Sequence, residues 1–200
     1  MTAPPPSQSL ARWISILGHP FTFILVMVLA TSGRGDGGIA AYRAAAIVLA
    51  VVLVPLGLFF WRRRASGRWS TIDASEPHNR PALYAAALAL LVPLALVYRF
   101  AAPSGEAETT SRLLDGTLAV GLLLALGALA NRWIKLSLHT AFAMFAGVVL
   151  AGTQPPLGFA ILAFAPVLGW ARLAMGRHSL REVMGGALLG AGVGAFTLWV

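Results

Sequence analysis

Three polar clusters carry residue types whose spacing could support chemistry. Asp73, Glu76, His78 and Arg80 form the first; Lys135, Ser137, His139 and Thr140 the second; Arg172, His178 and Glu182 the third. His178 and Glu182 are four residues apart, so on a helix they share a face. A carboxylate bonded to one ring nitrogen then directs the lone pair of the other away from itself. That describes an oriented nucleophile or base. His139, facing the same cavity, would be the complementary proton donor to a leaving oxygen. Arg80, Arg172 and Lys135 add three fixed cations, and guanidinium forks match phosphate oxygens well, so the expected ligand is an anion.

Singly, each residue has a plainer reading. His139 or His178 alone is a hydrogen-bonded helix-end histidine, and Arg172 and Arg177 alone are snorkelling or orienting cations. Asp73, Glu76 and His78 alone are solvated loop. A metal site built from His78, His139, His178 and a carboxylate is disfavoured by three nearby cations and by the lack of His-Glu-x-x-His spacing. His19, beside Pro20, reads as a packing or kink residue and not as a ligand.

The elements that must position these residues follow from composition. The chain has 200 residues, 58% hydrophobic and 11% charged, with no cysteine, and its mean hydropathy is +0.78. Soluble domains sit near roughly 45–50% apolar and 25% charged, so a soluble fold is excluded. The lack of cysteine excludes disulfides and thiolate chemistry. A bilayer core about 30 Å thick needs roughly 20 apolar residues per helix, which leaves room for six or seven spans and no separate soluble domain. Apolar runs lie near 13–31, 40–61, 81–101, 113–133, 138–152, 157–173 and 183–200. The fifth and sixth are short and are separated by a tight turn at Pro155-Pro156. Backbone in lipid must satisfy its own hydrogen bonds, and the runs are too long for barrel strands. An all-α polytopic membrane bundle of six to seven transmembrane helices is therefore expected, after a disordered segment 1–12. The first run is longer than the roughly 7–15 apolar residues of a signal peptide and is preceded only by Arg12, so it reads as a span.

In a seven-span layout all of the Lys and Arg residues except Arg34, Arg43, Arg99 and Arg112 fall toward one face, that of the N-terminus and the loops 62–80, 132–137 and 172–182. The positive-inside rule makes that face cytoplasmic. The formal charge of +8 is thus assigned to orientation and anionic lipid, not to nucleic acid. The same layout brings the three clusters to one membrane level.

The stretch from Ala171 to Gly190, with Arg172-x5-His178-x3-Glu182 followed by small residues, resembles the third signature of the type 2 phosphatidic acid phosphatase superfamily, the lipid phosphate phosphatases. Lys135-Leu-Ser137-Leu-His139-Thr140 resembles its second signature, Pro-Ser-Gly-His, and Arg80-Pro81 matches the end of the first, Lys-x6-Arg-Pro. The resemblance covers about Asp73 to Gly190, within one domain at 13–200 that opens with two leading helices over 13–61. It implies that His178 is a nucleophile forming a phosphohistidine, that Glu182 orients it in place of the usual Asp, and that His139 protonates the departing alkoxide. Arg80, Arg172 and Ser137 would hold the phosphoryl oxygens. No metal or other cofactor is implied, and the substrate would be a lipid phosphate. Asp73 stands where the family has lysine, and Lys135 is the candidate replacement, one helical turn before His139. Leu136 and Leu138 stand for Pro and Gly, and Ala171 for Ser. A non-enzymatic transporter or binder of lipid phosphate is the alternative, although the chain lacks the interrupted, repeated helices of many transporters. Vanadate-dependent halide oxidation, performed by soluble relatives, is disfavoured by the membrane composition.

Overall fold

Proline and glycine decide where the helices begin, bend and stop. The computed structural model describes residues 6–32, 38–69, 77–100 and 107–199; Asp73 and Glu76 lie outside them, as does Arg34. The described residues are all-α, with no strand among them. The helices are α1 (Pro6–Leu17), α2 (Pro20–Ser32), α3 (Gly38–Val48), α4 (Val54–Ala65), α5 (Arg80–Phe100), α6 (Ala107–Ala130), α7 (Leu138–Thr153), α8 (Pro155–Ala174) and α9 (Leu180–Trp199). A π-helical turn over Leu49–Leu53 joins α3 to α4, so the second apolar run is one continuous helical path. Pro55 lies just beyond this turn. A proline ring crowds the carbonyl four residues back, and the wider turn relieves that crowding.

Six segments are long and apolar enough to cross a membrane: Gln8–Thr31, Tyr42–Ala65, Arg80–Phe100, Glu108–Ala130, Pro155–Ala174 and Leu180–Trp199. By length and composition the chain is an integral membrane protein, and these spans follow six of the seven apolar runs. The remaining run is α7, of 16 residues. At a rise of about 1.5 Å per residue it is about 24 Å long, short of a bilayer core of about 30 Å. Helical order begins at Pro6, inside the segment 1–12 expected to be disordered. Proline suits a first helical turn, and Ala11 and Ser15, one turn apart, are both buried.

The chain divides into two units, Met1–Ile24 with Arg132–Val200, and Leu25–Asn131. In the first, α7 is the central helix. Residues all around it are buried, including His139, Thr140, Phe142, Phe145, Ala146, Val149 and Leu150. Gln154 alone separates α7 from α8, which starts on Pro155 and Pro156 as the expected tight turn. Gly186, Gly190 and Gly194 form a stripe on α9 against α7. A methyl group at Gly190 would collide with the Ala141 carbonyl, and one at Gly186 would lie 2.8 Å from Thr140 Oγ1. Small residues at this spacing let helix backbones touch, which is how membrane helices associate when water supplies no driving force.

In the second unit α5 and α6 run antiparallel, because Arg80 at the start of one donates from Nη1 to Asn131 Oδ1 beyond the end of the other, at 3.3 Å. Gly127 on α6 faces the ring of Tyr84 on α5. After α4, Trp69 is buried against Phe59 and Phe60, and the Arg63 guanidinium stacks 5.1 Å from the Phe59 ring centroid.

Candidate functional site

The first unit gathers most of the chemistry-bearing residues at the end where α7 and α9 begin and α8 stops. Helix α8 closes with Gly176 at φ 64°, a left-handed conformation that glycine adopts without steric cost. Gly176 N–H donates to the Leu173 carbonyl at 2.9 Å and Arg177 N–H to the Arg172 carbonyl at 3.1 Å. These two bonds are a Schellman cap, and they fix the turn that delivers His178.

His178 precedes helix α9 and is not on it. The sequence expectation placed His178 and Glu182 on one helical face; the structure pairs them by another route. Ser179-Leu-Arg-Glu182 is a capping box: Ser179 N–H donates to Glu182 Oε2 at 3.1 Å, and Glu182 N–H reaches Ser179 Oγ at 3.4 Å. The same Oε2 lies 2.9 Å from His178 Nδ1. One carboxylate therefore starts the helix and orients the imidazole. With Nδ1 bonded to Glu182, Nε2 is the nitrogen directed away from the carboxylate. His178 is buried while Glu182 is half-buried.

Lys135 lies on the non-helical segment before α7, not on a helical turn preceding His139. Its Nζ donates to the Arg177 carbonyl at 2.8 Å and stands 4.0 Å from Glu182 Oε2. It thus fastens the His178 turn and places positive charge beside the orienting carboxylate. Ser137 is fully buried and caps α7, its Oγ accepting from Thr140 N–H at 3.5 Å. Ser137 N–H donates to the Glu182 carbonyl at 3.0 Å, and the Thr140 hydroxyl is within bonding distance of the carbonyls of Ser137, at 3.0 Å, and Val183, at 3.1 Å. The second and third sequence clusters are thereby joined through the first turns of α7 and α9. His139 occupies the first turn of α7 and is buried.

Arg172 is 3% exposed, which removes the snorkelling reading. Its Nη1 donates to Ser15 Oγ on α1 at 2.7 Å. The His139 ring meets the His19 ring edge to face, with centroids 5.3 Å apart. Ser15 and His19 were not singled out as site residues from sequence, and His19 was assigned a packing or kink role. Both come from the break between α1 and α2. Pro20 at the first position of α2 was the available signal for that break; nothing local marked what it would face.

Arg80, in the second unit, is buried at the first position of α5. His78 is exposed on the short 3₁₀ turn Pro77–Asn79 that precedes it. Among the described residues no three His, Asp or Glu side chains gather in a way that could hold a metal ion. No family model, curated protein or solved structure matches the chain.

Proposed function

We propose that the protein is a metal-independent phosphatase that removes a phosphate from a lipid-linked phosphomonoester or pyrophosphate at the membrane surface. The observation that carries it is the 2.9 Å pairing of His178 Nδ1 with Glu182 Oε2, held by the capping box and by Lys135, on the unit that also contains buried Arg172 and His139. A carboxylate-bonded imidazole, on a unit that also carries a buried guanidinium, is suited to attack phosphorus and to bear the phosphoryl group. The resemblance of Arg172-x5-His178-x3-Glu182 to the phosphatase signature points the same way, and assigns Ser137 to the phosphoryl oxygens.

In the first half-reaction the Nε2 lone pair of His178 forms an N–P bond as the P–O bond to the lipid breaks. The electron pair leaves on the lipid oxygen, which takes a proton from His139. In the second, water attacks phosphorus and gives its proton to His139; the N–P electrons return to Nε2 and inorganic phosphate departs. Arg172 holds the phosphoryl oxygens throughout, and positioning with charge stabilisation is what phosphoryl transfer chiefly requires. The active end faces the cytoplasm, the side that the cationic loops favour.

The test is phosphate release by the purified protein in EDTA from phosphatidic acid, phosphatidylglycerol phosphate and polyprenyl phosphates and pyrophosphates. Wild type releases phosphate from at least one, and His178→Ala lowers kcat by about 10³-fold or more, as loss of a nucleophile does. Undiminished release by the mutant, or lipid phosphate bound without cleavage by the wild type, overturns the proposal.

A further inference from the structure

We infer that His19 is a positioning residue for His139: the break between α1 and α2 presses an imidazole edge to face against the proton donor of the reaction. This deepens, and rests on, the phosphatase proposal. Three observations place the break. Gly18 approaches α8 so closely that a Cβ there would lie 2.5 Å from Leu168 Cδ1. Ser15, one turn earlier, accepts from Arg172 at 2.7 Å. Between these anchors and α2, His19 meets His139 with ring centroids 5.3 Å apart and planes at 86°.

The His19 ring is itself fixed. It stands at the N-cap of α2, ahead of Pro20, and its Nδ1 accepts the Phe21 N–H at 3.2 Å. An accepting Nδ1 puts the proton of the neutral ring on Nε2, so both tautomer and orientation are set by the backbone. Phe21 also packs against this ring, with centroids 4.7 Å apart and planes at 81°. A ring held in this way limits rotation of His139 about its side-chain bonds. The aim of a general acid at its leaving oxygen depends on that restraint, and small misplacements are costly.

The plainer role is helix capping alone, and two substitutions separate them. His19→Asn keeps a side-chain acceptor for the first turn of α2 and removes the ring. His19→Phe keeps the ring edge and removes the acceptor. Each is assayed by kcat/KM on dioleoyl phosphatidic acid, whose alkoxide needs a proton to depart, and on p-nitrophenyl phosphate, whose phenolate does not. Thermal unfolding in detergent is followed alongside.

The expected result for His19→Asn is a loss of about tenfold on the lipid and less than about twofold on the aryl ester, a fraction of what a general acid contributes. The lipid-selective loss disappears in a His139→Ala background, because the two residues act through one proton transfer. His19→Phe retains most of the lipid activity. Equal losses on both substrates, a loss that persists in the His139→Ala background, or a harmless Asn with a damaging Phe overturns the inference and leaves the phosphatase proposal standing. Wild-type protein inactive on every phosphate substrate overturns both.

Discussion

Glu182 serves two structures with one oxygen, and the consequences can be measured separately. Its Oε2 accepts from Ser179 N–H in the capping box and pairs with His178 Nδ1. Glu182→Gln keeps length and an accepting oxygen but removes the negative charge that favours a cationic imidazole. Its kcat is expected to fall about 10- to 100-fold, a milder form of the loss seen when an orienting carboxylate is neutralised. Ser179→Ala removes a capping hydroxyl and is expected to cost about 1 kcal/mol of stability, with less than about a threefold change in kcat. Steady-state kinetics and thermal unfolding in detergent read the two effects; a kcat loss in Ser179→Ala as large as in Glu182→Gln would mean that the carboxylate acts only through the helix start. The His178–Glu182 pair was legible because both partners lie in one local segment, although the pairing comes from a cap and not from a helical face. Ser15 and Arg172 are 157 residues apart in sequence, and His19 faces His139 only once α1 has packed on α8. No periodicity encodes such contacts. Lys135 was expected to contact phosphate; in the structure its ammonium is engaged by the Arg177 carbonyl and stands near Glu182.

At the scale of elements, the α7–α9 contact holds Ser137 and His139 against the start of α9, and its glycines are not equivalent. Gly190 sits where a methyl group would overlap the Ala141 carbonyl, whereas Gly192 has open space around it. Gly190→Ala must push the helices apart and is expected to destabilise by about 1–3 kcal/mol. Gly192→Ala gains helix propensity and is expected to be neutral or stabilising by up to about 1 kcal/mol. Unfolding midpoints of the two variants in the same detergent make the comparison, and equal midpoints would contradict the close approach. Activity should fall with Gly190→Ala as well, since the Ser137–Glu182 and Thr140–Val183 bonds span the same contact. Element positions were largely readable, because apolar length and proline placement are local properties. The boundaries of α7 and α8 fall within two residues of the apolar runs 138–152 and 157–173. The break at Gly18–His19 was signalled by Pro20, though not what it would face; the π turn and the helical start at Pro6 were not readable, because each depends on how the backbone relieves or exploits packing.

For the whole molecule the governing quantity is the distribution of positive charge along the crossings. The first long span, Gln8–Thr31, is helical on both sides of the His19 break and counts as one of six long crossings; the seven-span layout expected from the sequence adds α7 to them. An odd number places the C-terminus opposite the N-terminus. Arg62, Arg63 and Arg64 close α4 in its last turn, immediately past a long apolar segment, where the orienting effect of cations is strongest. Arg132, Lys135, Arg172, Arg177 and Arg181 fall in the later loops or helix ends of the same parity. Only part of this bias is free to orient the chain, because Arg172 is buried against Ser15 and Lys135 is engaged at the His178 turn. The arginine run in the last turn of α4 is exposed or half-buried and carries the bias without a role in the candidate site. A reporter fused after Val200 is therefore expected to be active outside the cytoplasm, and one inserted near Gly67 inside it. Replacing Arg62, Arg63 and Arg64 together with Gln should produce a mixed population at both positions, since each juxtamembrane cation contributes about 1 kcal/mol against an anionic leaflet. Cytoplasmic activity at Val200 in the unaltered chain would mean an even number of crossings or reversed polarity, and would move His178 and Glu182 to the face away from the cytoplasm, where only exported lipid phosphates could reach them.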